Sequence, residues 1–544
     1  MRRSFCVIAL FSVLSIPSFA MEYVEICKSN QDCKQFSRLV MGTDHLIQGD
    51  WVGPHWPEYS DEMAFEVLDH AADLGINFFD TSPIYVGSVE YKLGQWRAQR
   101  RETHPNENHH ILSKGGFPFD LFWMQSLPEG SHSSELISSL DTLNSTQFPA
   151  GTYASRLYGS EDLIAERVAE EMGHTTNNLD GDVTIYLMHR DDGDAIGFNP
   201  VVRETTPVKT IMSALSKESI SSKAWMFGWS NWLTPRIDES VVLSKANADL
   251  IRPVINSPYF SLFEMSDRSI HALGVQVTHQ EMMDEDFQKG IKIMPYSPLG
   301  GFSILDKPEP KWDNAKLAAK EKYDNGDPYW QNVYHSIFTE ANKQRWNRLV
   351  EFSETFNKMH STNYSLDQMM NAYVLAHPRT DLLAIGPITK EQLNRTVESL
   401  SLSQSLTPED LEFLYSGQMN DSAVEVFVFH WFSLFDRNAP VTEFLPKLSD
   451  EVDMKFPEAT LESHEDFKDW YAGVLETVET ASHDIQDLEI SKVSEALYQI
   501  DLVVLWKAKN FDGTNVEFRA QQHWEVQVGS DGPKIKKYLV SEAQ

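Results

Sequence analysis

The chain has 544 residues, 41% of them hydrophobic and 11% aromatic, enough apolar material for two or three packed cores and too much for a disordered chain. Acidic residues outnumber basic ones by 80 to 46, a formal charge of −34, so the surface field repels nucleic acid and anionic lipid, and no nucleic-acid partner is expected.

Residues 1–20, MRRSFCVIALFSVLSIPSFA, have a basic start, an apolar run from Cys6 to Ile16 and a small-x-small ending at Ser18-Phe19-Ala20. This is the pattern of a cleaved signal peptide, so the expected location is exported, periplasmic or secreted. The run is shorter than the roughly 20 apolar residues of a membrane helix, and no later segment reaches that length, so no membrane span is expected. Arg2-Arg3-Ser4-Phe5 also resembles part of the twin-arginine export signal, and that route and the ordinary secretory one both stay open. Beyond Ala20 the only cysteines are Cys27 and Cys33, on either side of a polar Ser29-Asn30-Gln31-Asp32 tip that reads as a hairpin turn. In an oxidising compartment the pair can close, contributing roughly 2 kcal/mol; two free thiols are the alternative, and two cysteines without a nearby histidine do not form a metal site.

From residue 38 to about 400, a short apolar strand, a polar turn and an amphipathic helix recur. The strands are RLVMGT, INFFDTS, HHILSKG, VTIYLMHR, WMFGWSN, VINSPYF, IKIMPYS and LLAIGP. The helix before the second strand illustrates the unit: Ser60 caps it, Met63, Val67, Leu68, Ala71 and Leu74 form its apolar face, and Gly75 ends it. Eight such units predict an α/β fold, a (β/α)8 TIM barrel within residues 21–415; an open doubly wound sheet would carry a Gly-x-Gly-x-x-Gly turn after its first strand, and there is none. Phe117 to about Tyr158, rich in Ser, Pro and Gly, is expected to roof the barrel mouth. Lys307 to about Trp330 reads as a polar excursion whose DNGD, like DDGD at Asp191 to Asp194, lacks calcium-loop spacing, so no metal is expected. SLTPEDLEFLYSG predicts a helix capped at Thr407 and closed by Gly417. Residues 422–544 then change character to helix, helix and the strands EALYQIDLVVLWKAK, VEFRAQQHWEVQV and PKIKKYLVSE, a separate α+β domain.

In a parallel barrel the polar residue at the C-terminal end of a strand points into the shared mouth. Asp80, Lys114 and His189 end the second, third and fourth strands, and Tyr85 follows Asp80 on its loop. A tyrosine is a weak acid at neutral pH; a neighbouring ammonium is expected to lower its pKa, while a carboxylate holds that ammonium in place. Asp80, Tyr85 and Lys114 therefore suit a proton relay, with His189 donating to a substrate carbonyl oxygen.

With these motifs in order, the sequence resembles the aldo-keto reductase family over about residues 35–415. GINFFDTSPIYVGSVEYKLG, ILSKGG, IYLMHRDD, FGWSN, IMPYSPLGG and AIGPITKEQL match its successive signatures. The resemblance implies hydride transfer between a nicotinamide cofactor and a small carbonyl or alcohol substrate, such as an aldehyde, ketone or sugar. Tyr85 would be the general acid, Asp80 and Lys114 its partners and His189 the orienting donor. Gly42 and Thr43 would line the cofactor channel, Ser230 and Asn231 hold the carboxamide, and Tyr296 stack on the nicotinamide. Ser257, Ser297, Leu299, Gly386, Thr389, Gln392 and Arg395 complete the implied cofactor contacts. NADP is the expected cofactor and NAD stays open, because Lys390 and Arg395 stand where relatives carry a differently spaced basic residue. YVGSVE is one residue longer than the common version of its motif. Residues 422–544 resemble the SnoaL-like, nuclear-transport-factor-2-like domains, which implies ligand binding or a homodimer. Trp431, Trp470, Tyr471, Trp506, His523 and Trp524 would line its pocket or fill its core. The alternative function is a catalytically silent binding or regulatory protein on the same scaffold.

Overall fold

Alternation along each central strand sends one residue inward and the next outward, and the inward set is apolar until the last position. The structure is a computed structural model that describes residues 21–44, 46, 60–83, 85, 89–116, 159–191, 206–265, 275–300, 312–326, 328–417, 421–436, 438–494, 496–529 and 532–543. The expected signal segment, the roof from Phe117 to residue 158 and the DDGD tail past Asp191 lie outside the described residues.

A hairpin of β1 (Tyr23–Ser29) and β2 (Asp32–Ser37) precedes eight parallel strands, β3 (Leu39–Gly42), β4 (Phe78–Asp80), β5 (His110–Gly115), β6 (Val183–Met188), β7 (Ala224–Ser230), β8 (Pro253–Ser257), β9 (Lys292–Ile293) and β10 (Leu383–Ile385). β3 to β9 pair in sequence order, β10 pairs with β3, and backbone bonds from Leu382 to Ile293 (3.1 Å) and Ala384 to Pro295 (2.9 Å) join β10 to β9. This is the (β/α)8 barrel, with all eight expected strands present. Phe78, Leu112, Ile185, Leu187, Met226 and Val254 fill its interior, while Ile26 and Phe36 of the hairpin plug the end where the strands begin. Cys27 and Cys33 face each other across the hairpin and are bonded.

Strand β3 approaches β10 so closely that a Cβ at Gly42 would lie 2.8 Å from the carbonyl oxygen of Ile385. Helix Asp61–Asp73 is capped by Ser60, which accepts from the Met63 amide, and Gly75 turns the chain at φ +91°. Its buried face is Ala64, Val67, Leu68 and Ala71; Met63, expected on that face, is 48% exposed because the stripe is rotated by one position. The expected polar excursion after β9 folds instead into helices Trp312–Asp324 and Pro328–Ile337, with Trp312, Ala315 and Ala319 buried at helical spacing. Helix Pro408–Ser416 has the expected Thr407 cap and ends at Gly417, φ +72°. No helix among the described residues is long and apolar enough to cross a membrane.

The C-terminal domain is a six-stranded mixed sheet in the order β12 (Thr460–Leu461), β11 (Leu448–Lys455), β16 (Gly532–Glu542), β15 (Asn515–Gly529), β14 (Leu497–Asn510), β13 (Val478–Ser494). Helices Asp421–Asp436 and His464–Thr477 cover one face of it. Trp431, Tyr471 and Trp524 are buried in this core, Trp470 packs against its margin, and His523 is half-exposed beside Asp501. The barrel meets this domain through helix Glu340–His360: Lys447 pairs with Glu351 at 2.9 Å and Lys358 with Asp436. Asp436 also receives His483 Nδ1 at 2.6 Å, an acid–base pair at the seam that sequence reasoning did not find.

Candidate active site

The alternation that fills the barrel with Phe78, Leu112 and Leu187 places Asp80, Lys114 and His189 two residues further along the same inward rows, at the mouth. All three are buried, at 6%, 4% and 4% exposure. Lys114 Nζ donates to the Tyr85 hydroxyl at 2.7 Å and to the Thr81 carbonyl at 3.3 Å, and forms an ion pair with Asp80. The Tyr85 hydroxyl in turn lies 3.5 Å from Asp80 Oδ2, and the Tyr85 ring stands edge-on to His189 with centroids 6.1 Å apart. The four side chains named from sequence are brought together, despite the extra residue in YVGSVE.

Burial, reinforced by the charges of Asp80 and Asp44, pushes the Tyr85 phenol well above its ordinary range. This reverses the lowering expected from Lys114: in the dry mouth the cost of a buried phenolate outweighs the nearby ammonium. Burial likewise pushes Lys114 down and Asp80 up, each opposed by the other's charge. Burial, with Arg190 and Lys114 beside it, holds His189 far below the usual imidazole range, so the ring is neutral. Ser82 stands beside this ring: its Oγ donates to the Lys114 carbonyl at 3.0 Å and lies 3.3 Å from His189 Nδ1.

Behind Lys114, Glu90 accepts from Ser113 at 2.5 Å and Glu171 from the Gly116 amide at 2.9 Å, fixing the backbone on both sides of the lysine. Burial pushes each carboxyl up to about 7. Gly115 is required between them, since a Cβ there would collide with the Tyr186 hydroxyl and the Glu171 carboxyl.

Around the mouth, Ser230 ends β7, and Asn231 follows it in the left-handed region at φ +57°. Asn231 Oδ1 accepts from the Tyr296 hydroxyl at 2.7 Å and the Val275 amide at 3.1 Å, and its Nδ2 donates to Ser230 Oγ at 2.9 Å. Ser230 Oγ donates to the Ser257 carbonyl at 3.1 Å, so Ser230, Asn231, Ser257 and Tyr296 form one network. Ser297, at φ +55°, turns the chain after Tyr296, and Leu299 packs on the core. Thr43 donates to the Asp80 carbonyl at 2.8 Å and is wholly buried, a tie between β3 and β4. Gly386 follows β10; Thr389 caps helix Lys390–Ser403 through the Gln392 amide, and Gln392 accepts from the Ile388 amide at 2.8 Å.

The basic residues at this end are already engaged. Arg395 pairs with Asp367 at 3.1 Å, Lys390 with Glu66 at 2.9 Å, and Asn394 contacts His70 at 2.7 Å.

Arg190 and Ser82 are the residues missed from sequence. The run His189-Arg190-Asp191 can be read as a surface ion-pair cluster, but Asp191 is fully buried against Arg236 at 2.8 Å, and Arg190 lies close enough to Tyr85 and Tyr296 to draw both phenols down. Among the described residues the only cluster with metal-ligand proximity is Glu25, Cys27 and Cys33, whose sulfurs are consumed by the disulfide. The mouth is therefore a buried acid, its ammonium and carboxylate, and a neutral imidazole at the strand ends of a (β/α)8 barrel. The model of the Aldo/keto reductase family matches residues 38–414, more than half of the chain, and the protein belongs to that family.

Proposed function

We propose that the protein is an NAD(P)(H)-dependent reductase acting between a nicotinamide cofactor and a small aldehyde, ketone or sugar, with Tyr85 as general acid. The observation that carries this reading is the 2.7 Å contact of the Tyr85 hydroxyl with Lys114 Nζ, backed by Asp80. A proton donor must hold its proton until charge develops on the substrate, and burial keeps the phenol protonated. As the carbonyl oxygen gains charge, Tyr85 delivers the proton, the Lys114 ammonium stabilises the phenolate left behind, and Asp80 keeps that ammonium in place. His189, neutral, orients the oxygen by donating from Nε2 in the tautomer in which Ser82 turns its hydroxyl hydrogen from the Lys114 carbonyl to Nδ1.

The residues present fit a nicotinamide cofactor at the reacting end. The network of Ser230, Asn231 and Tyr296 offers a preorganised amide and a ring beside the mouth. When bound, the cofactor would supply or accept the hydride. At the other end helix Lys390–Ser403 presents an N-terminus capped by Thr389, but both basic side chains there already have carboxylate partners. We therefore expect weak discrimination between NADP and NAD, read as a kcat/KM ratio near unity. The same engagement favours, as second reading, a silent binding protein, which would quench under NADPH without consuming it.

The C-terminal domain we read as SnoaL-like, supported by its mixed six-stranded sheet and two covering helices, with dimerisation as its proposed role. Export is supported by the Cys27 to Cys33 bond, a feature of oxidising compartments.

Tyr85→Phe tests the main reading: turnover of NAD(P)H across a carbonyl panel should fall by about 10²–10⁴-fold with the circular dichroism spectrum unchanged. Unaltered turnover would sink it. With the phenol held up and the imidazole held down, neither Tyr85 nor His189 titrates across the neutral range, so a step in the wild-type kcat profile near pH 7 is expected to come from Glu90 and Glu171 behind Lys114.

A further inference from the structure

At the opposite end of the barrel, where the strands begin, a cleft of ≈ 830 Å³ lies between the β1–β2 hairpin and the starts of β5, β6 and β7. Its volume is in the range of small-molecule sites, about 300–1,000 Å³. Lys28 and Lys34 from the hairpin, Arg97 from helix Val89–Thr103 and Lys223 ahead of β7 line it. In a chain of net charge −34 a cation would ordinarily sit beside a carboxylate, yet none of these four makes an ion pair among the described residues. Their contacts are with neutral groups: Lys34 lies 5.2 Å over the Trp225 ring, Lys223 donates to the Ala169 carbonyl at 2.8 Å, and Arg97 Nη1 donates to the Asp182 backbone at 3.4 Å. Arg97 Nε is buried with no hydrogen-bond partner.

Asp182 supplies the only carboxylate of the lining, so four cations less one anion leave three positive charges facing one space. His109 and His110 also face it; burial, with Lys34 and Arg97 nearby, drives His110 down to about 4, so that ring is a neutral hydrogen-bonding group. Trp225 is itself fixed by a bond from its Nε1 to Asp32 at 2.9 Å, and the disulfide closes the hairpin that forms the wall. One guanidinium fork and three ammoniums outnumber the lining carboxylate of Asp182, with Asp180 the other acid acting on Arg97, and such a cationic excess is complementary to tetrahedral oxyanions.

We propose that this cleft is a binding site for a small polyanion carrying two or more phosphate or sulfate charges, separate from the reactive mouth. Calorimetric titration of the full chain, with sodium pyrophosphate and with sodium sulfate in separate runs against a chloride control, tests it. Saturable one-site binding is expected, weakened at least about tenfold by Lys34→Gln with Arg97→Gln and by added salt. Tighter pyrophosphate marks the cleft as a phosphate site and tighter sulfate as a sulfate site. Lys28→Gln with Lys34→Gln, both on the hairpin and neither in a barrel helix, repeats the test should loss of Arg97 disturb folding. No saturable heat with either anion, or binding that both double variants leave untouched and that therefore belongs to the cofactor groove, would overturn the proposal.

Discussion

The two mouths of the barrel treat charge in opposite ways. At the strand ends Lys114 is 4% exposed and is locked between Asp80 and Tyr85, whereas at the strand starts Lys28, Lys34, Arg97 and Lys223 share one cleft and make no ion pair among the described residues. A cation shut away from water must have a partner, because its desolvation cost exceeds what packing can return. A cation at the rim of an open cleft, as Lys28 is, keeps its water and can wait for a ligand, while the buried Nε of Arg97 has none to keep. The first arrangement suits moving a proton among the protein's own groups, the second receiving charge from outside. Mutations at either end should therefore give unlike signatures.

The largest effect is expected from Lys114→Met. It removes the ammonium that stabilises the developing phenolate and strands Asp80 as an unpaired buried carboxyl. Turnover should drop about 10²–10⁴-fold, and urea unfolding should show a loss of about 3 kcal/mol or more. The cleft substitutions at Lys28 and Lys34 should leave kcat within about twofold, since exposed cations contribute little to stability. Steady-state kinetics on both sets checks the contrast, and an equal fall in kcat would erase it.

A smaller effect separates the mouths from the other side. Cys27→Ser with Cys33→Ser releases the hairpin that forms the cleft wall and should cost about 2 kcal/mol, seen as a lower Tm, with kcat preserved. Anion affinity should weaken in the same variant. A fall in kcat would show that the hairpin reaches the reactive end.

Which parts of this could be read from the chain follows from how each is buried. Strands covered on both faces are apolar runs, so the eight barrel strands stand out, and their last inward residues, Asp80, Lys114 and His189, stand out with them. β13 does not: Val478, Ala481, Ile485 and Leu488 repeat at helical spacing because register shifts between Val478 and Thr480 and between Ile485 and Asp487 change the phase of a long, mostly exposed edge strand. The cleft cations come from the hairpin, a helix and a loop, and no local pattern links them. Arg190 was obscured by Asp191, whose charge in a tripeptide looks available until the fold turns it away to Arg236. Ser82 sits inside DTSPIY, where a serine before a proline is an ordinary turn residue.

Ser82 also carries the smallest and most discriminating prediction. Its hydroxyl has one hydrogen and two acceptors within reach, the Lys114 carbonyl at 3.0 Å and His189 Nδ1 at 3.3 Å. Donation to Nδ1 puts the imidazole proton on Nε2, where it can be given to a substrate oxygen; donation to the carbonyl makes Nδ1 the protonated nitrogen and leaves Nε2 an acceptor. Ser82→Ala removes that choice, and kcat should fall roughly tenfold, the worth of one hydrogen bond to a charge-developing group, with the KM for cofactor unchanged. Ring-nitrogen shifts of His189, assigned by comparison with His189→Gln, should show Nε2 protonated in the wild type and a tautomer mixture in Ser82→Ala. A wild-type ring protonated at Nδ1 would instead make His189 an acceptor, leaving Tyr85 as the only donor to the carbonyl and the mouth with half the oxyanion support proposed for it.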